Sequence, residues 1–371
     1  MPFFVFAGYL MQYSNLSEKL FNFINSFVGR FRASTGAVAI ATCALFGTLT
    51  GSVVATVAAI GQIVFPEMKK RGYPSAYAGA IVANSGMLGQ LIPPSSVGII
   101  YAMTTGLSIS DVWLSTVGPA ILIVVGYSLY NYFVRRHLEE KCQEKFDFVP
   151  YVKNVGKNTK NAFWALMMPV IIFGGIYGGV FTPTEAGAVA AVYGVIYYFV
   201  KKKVHPGSVG GSFTQICTSA VGVVGSIFLI MAFASAAGRA LSFAGVGSMV
   251  QNLFLTHMTE RWQFMLATVV LFTICGMIVD GNVAILLFIP LLTPLLSSYG
   301  IDPIYYAAIV LLVLEFGKVT PPFCVSLFMA TKLSGATFGQ VFKATIPFLI
   351  INYTVLVIAI LCPTLCTFLV G

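Results

Sequence analysis

Four short stretches of this 371-residue chain set hydroxyl, carboxyl and amide oxygens beside glycine or proline inside otherwise apolar sequence. One holds Thr48, Thr50, Gly51 and Ser52, and a second spans residues 89–96 with Gly89, Pro93, Pro94, Ser95 and Ser96. A third is Asp280, Gly281 and Asn282, and a fourth spans 317–322 with Gly317, Thr320, Pro321 and Pro322. Two consecutive prolines remove two amide donors and crowd the carbonyls before them, so a helix must break there. In an apolar medium the freed carbonyls and half-helix ends need partners, which a bound cation or a polar substrate supplies. Hydroxyl and bare carbonyl oxygens suit a hard cation such as Na+, by analogy with other oxygen-liganded ions. Thr48, Thr50, Gly51, Ser52, Gly89 and Pro93 form one candidate ion site; Asp280, Gly281, Asn282, Gly317 and Thr320 form the second. Between them, Ser52, Ser95, Asn282, Thr320 and Lys318 are the candidates for substrate contact.

Charges in apolar sequence mark function by default, because burying them in hydrocarbon is costly. Asp280 reads as a cation ligand or as a helix-end carboxylate. Glu315 and Lys318 stand three apart, close enough to neutralise each other on one helix face, with Lys318 meeting an anionic substrate as the alternative. Thr182, Pro183 and Glu185 have the spacing of an N-terminal capping box, a structural role. His137, His205 and His257 are scattered, with no carboxylate at metal-ligand spacing and no phosphate-binding Gly-Lys-Ser/Thr loop, so neither an enzyme nor direct ATP coupling is expected. An ion gradient is left as the energy source.

The elements that must position these residues are membrane helices. The chain is 58% hydrophobic and 9% charged, against about 25% charged in soluble domains. Residues 112–134, 163–181, 213–237 and 344–370 approach or exceed the roughly 20 residues that cross a bilayer as helix. Residues 2–13 are an apolar half-span. Residues 14–35 place Leu16, Leu20, Phe23, Ile24, Phe27, Val28 and Phe31 at helical spacing among Lys19, Arg30 and Arg32, which predicts a helix lying in the interface. Segments 37–49 and 53–66, and again 267–280 and 283–294, are each too short to cross alone and predict re-entrant hairpins. Segments 76–103 and 305–330 predict helices broken at Pro93-Pro94 and Pro321-Pro322.

A shift of 228 residues lays one half on the other. It puts Pro66 on Pro294, Tyr77 on Tyr305, Gly89 on Gly317, Pro93-Pro94 on Pro321-Pro322 and Pro119 on Pro347. Four crossings between the broken helices, near 113–134, 163–181, 183–200 and 213–237, make the second run opposite to the first. The fold class is an all-α polytopic membrane protein of inverted repeats, with two re-entrant hairpins and two broken helices. The net charge of +9 then belongs to one face: Lys69, Lys70, Arg71, Arg135, Arg136, Lys141, Lys145, Lys153, Lys157, Lys160, Lys201, Lys202, Lys203, Lys332 and Lys343 share it, so it is cytoplasmic by the positive-inside rule and no nucleic acid is implied. The domains read as 1–36, a truncated N-terminal helix and interfacial arm; 37–134, the first transport repeat; 135–237, a cytoplasmic loop and scaffold helices; and 238–371, a second arm and the second repeat. The seven cysteines, at 43, 142, 217, 275, 324, 362 and 366, read as packing residues, with Cys362 and Cys366 on one helix face.

Five stretches, PFFVFAGYLM, FGTLTGSVVATVAAIGQIVFPEMKKRGY, LGQLIPPSS, TPTEAGAVAAVYG and GNVAILLFIPLLTPLL leading into GIDP and TPP, resemble the large, DctM-like membrane subunit of tripartite ATP-independent periplasmic (TRAP) transporters. The likeness runs along essentially the whole chain. It implies an elevator-type, Na+-coupled importer of an organic acid, a C4-dicarboxylate, sialic acid or related carboxylate, in the bacterial inner membrane. It also implies a small DctQ-like membrane subunit, a periplasmic substrate-binding protein, and ion sites on the residues named above. The resemblance further implies an N-terminal helix ahead of this start, an apolar residue where Lys318 stands and a glycine near Cys324. A passive channel or a non-transporting scaffold, an inactive truncated form among them, is the rival reading, and a membrane enzyme a third.

Overall fold

The computed structural model describes residues 2–14, 16–29, 33–136, 148–204 and 210–370, and every regular element among the described residues is a helix. Arg30, Phe31 and Arg32 of the interfacial segment, His137, Lys141, Cys142 and Lys145 of the expected 135–160 loop, and His205 lie outside the described residues; from Phe148 onward that expected loop is helix.

The chain opens with α1 (Pro2–Tyr13) and the amphipathic α2 (Leu16–Val28). Leu16, Leu20 and Ile24 are buried on one face of α2, as their spacing predicts. The first hairpin is α3 (Ser34–Thr50) and α4 (Val53–Lys70), turned by Gly51 at φ 57° and Ser52; α2 packs on α3. The first broken helix is α5 (Ser75–Leu91) and α6 (Ser96–Thr105), followed by α7 (Ile109–Arg135). Next come α8 (Phe148–Tyr177), α9 (Pro183–Val204) and α10 (Phe213–Phe243), then a second arm, α11 (Val246–His257). The second hairpin is α12 (Arg261–Ile278) and α13 (Gly281–Ser298); the second broken helix is α14 (Pro303–Gly317) and α15 (Val325–Ser334). The chain closes with α16 (Phe338–Leu361) and a single turn, α17 (Thr364–Thr367).

Six of these helices, α7, α8, α10, α12, α13 and α16, are long and apolar enough to cross a membrane. Both hairpins are longer than their apolar segments, because Pro66, Pro290 and Pro294 lie inside helices and do not end them, and α12 and α13, expected to be too short to cross alone, each reach spanning length. A proline forfeits one backbone bond, and beyond Pro66 the Arg71 Nε to Glu67 Oε1 pair at 3.1 Å supports the last turn of α4. The 344–370 stretch is not one helix. Pro363 disfavours helical backbone at Cys362, which sits at φ −125°, ψ 80°. Cys362 is therefore exposed at a helix end while Cys366 is buried on α17, and the two do not share a face. The predicted capping box on α9 is present, with Glu185 N donating to Thr182 Oγ1 at 3.3 Å and Thr182 N to Glu185 Oε2 at 2.8 Å.

The internal repeat is visible in the packing. α3 lies on α5 as α12 lies on α14, while α4 packs on α15 and α13 packs on α6, so each hairpin crosses to the opposite repeat. The equivalent helices α7 and α16 run antiparallel. The rings of Tyr130 and Phe348 stand 5.2 Å apart, the Tyr127 hydroxyl donates to Asn352 Oδ1 at 2.6 Å, and a Cβ on Gly126 would sit 2.7 Å from Ile351. The halves are thus inverted.

Lipid tails are as apolar as leucine, so close packing of small residues, not exclusion of water, must hold such helices together. The two hairpins seat on the broken helices through glycine pairs, Gly47 with Gly89 and Gly276 with Gly317. At the centre, α14 is buried from Tyr305 to Gly317 and α5 along nearly its whole length. By contrast α10 and α11 keep most side chains exposed, an apolar surface that suits hydrocarbon. α1 packs on α9 and α10, and the Lys201 ammonium donates to the Ser14 carbonyl to fasten α1 to α9.

Candidate functional site

The two hairpin tips and the two breaks meet around one cavity of about 340 Å³. Its wall holds Thr50, Gly51 and Ser52 from the first tip and Asp280 and Asn282 from the second. The breaks contribute Gln90, Ser96, Lys318, Phe323 and Val325. Val223, Ile227 and Ile230 of α10 and Val5 of α1 close the apolar side.

Helix ends supply most of the polar lining. Val53, Ser96, Asn282 and Val325 stand in the first turns of α4, α6, α13 and α15, so four helix N-termini open on the cavity. Thr50 ends α3, Gln90 is the last residue but one of α5, and Val279 and Lys318 are the residues that follow α12 and α14. N-termini present unpaired N–H groups and attract anions; C-termini present unpaired carbonyls and attract cations. Both kinds of helix end ring this one cavity.

The first tip is a compact oxygen cluster. The Thr56 hydroxyl donates to the Ser52 carbonyl at 2.8 Å and lies 3.1 Å from Thr50 Oγ1. Ser52 Oγ accepts from Ala55 N at 3.4 Å, capping α4. The tip touches the break, since a Cβ on Gly51 would come 2.7 Å from the Pro94 carbonyl. Gln90 Nε2 donates to Ser96 Oγ across that break at 3.0 Å. A small pocket beside it joins Thr50, Gly51, Pro94 and Ser95.

Asp280 Oδ1 accepts from Asn282 N at 2.9 Å at the second tip, so Asp280 caps α13 while remaining exposed to the cavity. Asn282 is 6% exposed, and its Oδ1 has no hydrogen-bond partner among the described residues. The second break is tied to its hairpin by Phe323 N donating to the Met277 carbonyl at 3.0 Å. Lys318 pairs with Glu315, Nζ to Oε1 2.5 Å, and also donates to Gln90 Oε1.

The expected residues therefore divide. Thr50, Gly51, Ser52, Asp280, Asn282 and Lys318 share the cavity wall. Thr48 is buried with its hydroxyl turned to the Leu45 carbonyl at 2.7 Å, and Thr320 donates to the Phe316 carbonyl at 2.8 Å. Gly89 and Gly317 carry the interhelical contacts that set tip height, and Gly281 opens α13 behind Asn282. Pro93 stands within the first break, and its peptide to Pro94 is cis. The Ser95 hydroxyl accepts from Gly98 N at 3.2 Å, capping α6, while its carbonyl accepts from Trp113 Nε1 at 3.1 Å.

Sequence reasoning missed Gln90 and Thr56 and the apolar wall of α10, and had Ser96 only as the end of the first break. A signal for Gln90 existed: the 228-residue shift lays it on Lys318, and the two side chains touch in the structure.

Residues 1–365 match the family described as "Tripartite ATP-independent periplasmic transporter, DctM component". The isethionate TRAP transporter permease protein DctMQ of Oleidesulfovibrio alaskensis is 32% identical over all of this chain, which spans 58% of that relative's length. The C4-dicarboxylate TRAP transporter large permease protein DctM of Pseudomonas aeruginosa is 31% identical over 98% of this chain and 83% of its own. Among solved structures, the YdaH transporter of Alcanivorax borkumensis superposes with a TM-score of 0.61 at 15% identity, over 96% of this chain and 84% of that one. At that identity it bears on the fold alone.

Proposed function

The chain belongs to the DctM family, the large membrane component of TRAP transporters in the bacterial inner membrane, and is a transport subunit, not an enzyme; from that premise we propose that it carries an anionic organic acid together with Na+ through the cavity between its hairpin tips. The observation that carries this reading is the ring of helix ends, four N-termini for an anion and the adjoining C-termini for cations, around one cavity. The relatives named for isethionate and C4-dicarboxylates favour a small sulfonate or carboxylate as the substrate.

In this account Na+ binds first at the tips. Carbonyls and hydroxyls of Thr50, Gly51 and Ser52, held by Thr56, supply one ion site with the 89–95 break behind it; Asp280 and Asn282, with Gly317 and Thr320 behind them, supply the matching position. Thr48 and Pro93 shape the backbone around the first. Bound Na+ orders the tips and adds positive charge, and the anion follows, contacting Ser52, Asn282 and Lys318 on the cavity wall. The hairpins and broken helices then move as a unit against α8, α9 and α10, an elevator motion. "Tripartite" and "large permease" in the relatives' names favour two further components, a small membrane subunit and a periplasmic binding protein that delivers substrate.

The test is uptake by the reconstituted complex, for which Ser52→Ala and Asn282→Ala weaken Na+-dependent transport while membrane insertion persists. Unchanged uptake and Na+ dependence in both variants would sink the assignment.

A further inference from the structure

Glu315 and Lys318 break the internal symmetry at the point where the two halves meet. The 228-residue shift lays Glu315 on Met87 and Lys318 on Gln90, so the first half is neutral at both positions. Lys318 donates to Gln90, its own counterpart, and to Glu315. The ammonium therefore bridges the two broken helices at the cavity wall.

Glu315 is 2% exposed and the Lys318 side chain 14%. A carboxylate buried to that degree demands a cation, because the desolvation cost is recovered only by close pairing. A neutral residue in place of Lys318 would leave that demand to a mobile ion. Counting charges at the cavity, Lys318 stands against Glu315 and against Asp280, whose carboxylate caps the second tip. The first tip is different: Thr50, Ser52, Gln90 and Ser96 are all neutral there and supply no charge of their own.

We propose that the Lys318 ammonium is a built-in cation that takes the place of one coupling Na+ in the second half, leaving the first tip as the site where Na+ is bound and released. The proposal rests on the Na+-coupled reading above and concerns the number of ions carried. A tethered ammonium crosses with the protein in both directions and dissipates no gradient. It lends its charge to hold the anion without adding driving force. With the membrane potential clamped, a tenfold Na+ gradient then supports about tenfold accumulation of substrate, against about hundredfold for two carried ions.

The experiment is a Na+ titration of uptake by the reconstituted complex, paired with a Na+ titration of the melting temperature of the detergent-purified chain. Wild type is expected to give a Hill coefficient of about one. Lys318→Leu exposes Glu315 to a mobile ion: the coefficient rises to about two, and the melting temperature climbs about twice as steeply with log Na+ concentration. The double variant Glu315→Met with Lys318→Gln gives the second half the residues of the Na+-binding first half without the tethered ammonium, so its coefficient also rises to about two; it decides the matter where Lys318→Leu alone fails to fold, and a folded double variant that stays near one overturns the proposal. A wild-type coefficient near two overturns the proposal. So does a raised substrate KM in Lys318→Leu with unchanged Na+ steepness, which makes Lys318 a substrate contact only. Absence of Na+ dependence in every protein is a separate failure, that of the underlying Na+ reading, and removes the proposal with it.

Discussion

Gly89→Ala adds one methyl group between the first hairpin and its break, where the structure leaves no room. A Cβ there would stand 2.6 Å from Thr56 Oγ1 and 3.0 Å from Gly47 Cα. Nonbonded carbon contacts settle at about 3.5–4.0 Å, so the hairpin must withdraw by roughly 0.5–1 Å. Thr56 takes the push, and its hydroxyl is the group that holds the Ser52 carbonyl and faces Thr50. The displacement passes directly to the oxygens of the proposed first ion site. Overpacking of this size costs about 1–3 kcal/mol. A bound ion draws those oxygens inward, so the cost falls on the bound state and lowers Na+ affinity by roughly 5- to 150-fold. The assay is the Na+ concentration that gives half-maximal stabilisation of the purified protein against heat. Gly339→Ala serves as the control, because a Cβ there meets nothing within 4 Å. A folded Gly89→Ala protein with wild-type Na+ affinity would refute the claim that the glycine pair sets tip geometry.

Two further outcomes follow from the same contacts. Thr56→Val keeps the shape but removes the hydroxyl that holds the Ser52 carbonyl, and should weaken half-maximal Na+ stabilisation by about five- to tenfold, from the roughly 1 kcal/mol such a bond contributes. Tyr127→Phe strips a 2.6 Å hydrogen bond from buried Asn352 between the antiparallel α7 and α16; the purified protein should lose about 1–2 kcal/mol of stability, read as a lower melting temperature with Na+ affinity unchanged.

Much of this arrangement is legible in the sequence because glycine and proline constrain the backbone locally. Pro93-Pro94 and Pro321-Pro322 mark the breaks outright, and Gly51 and Asn282 stand at hairpin tips in both reading and structure. The 228-residue offset then fixes the symmetry, which the crossed packing of α4 on α15 and α13 on α6 repeats. Single prolines are weaker punctuation, and α4 and α13 run through Pro66, Pro290 and Pro294. The cavity wall is harder to see. Val223, Ile227 and Ile230 are apolar residues in an apolar helix, and nothing local separates those facing the tips from those facing outward. Gln90 carries one amide in a buried helix, and its role depends on a partner 228 positions away. Cys362 and Cys366 misled for the opposite reason: their four-residue spacing implied one face, but Pro363 between them ends the helix.

The central claim is that the joined tips couple an anion to Na+. Its most direct measurement is accumulation of labelled organic acid by proteoliposomes holding the chain with its small subunit and binding protein, with and without an inward Na+ gradient. The account predicts saturable uptake that exceeds the external concentration only while the Na+ gradient lasts and collapses when the gradient is dissipated. Flux that rises without saturation and equilibrates equally with or without Na+ would contradict it and make the cavity a passive path.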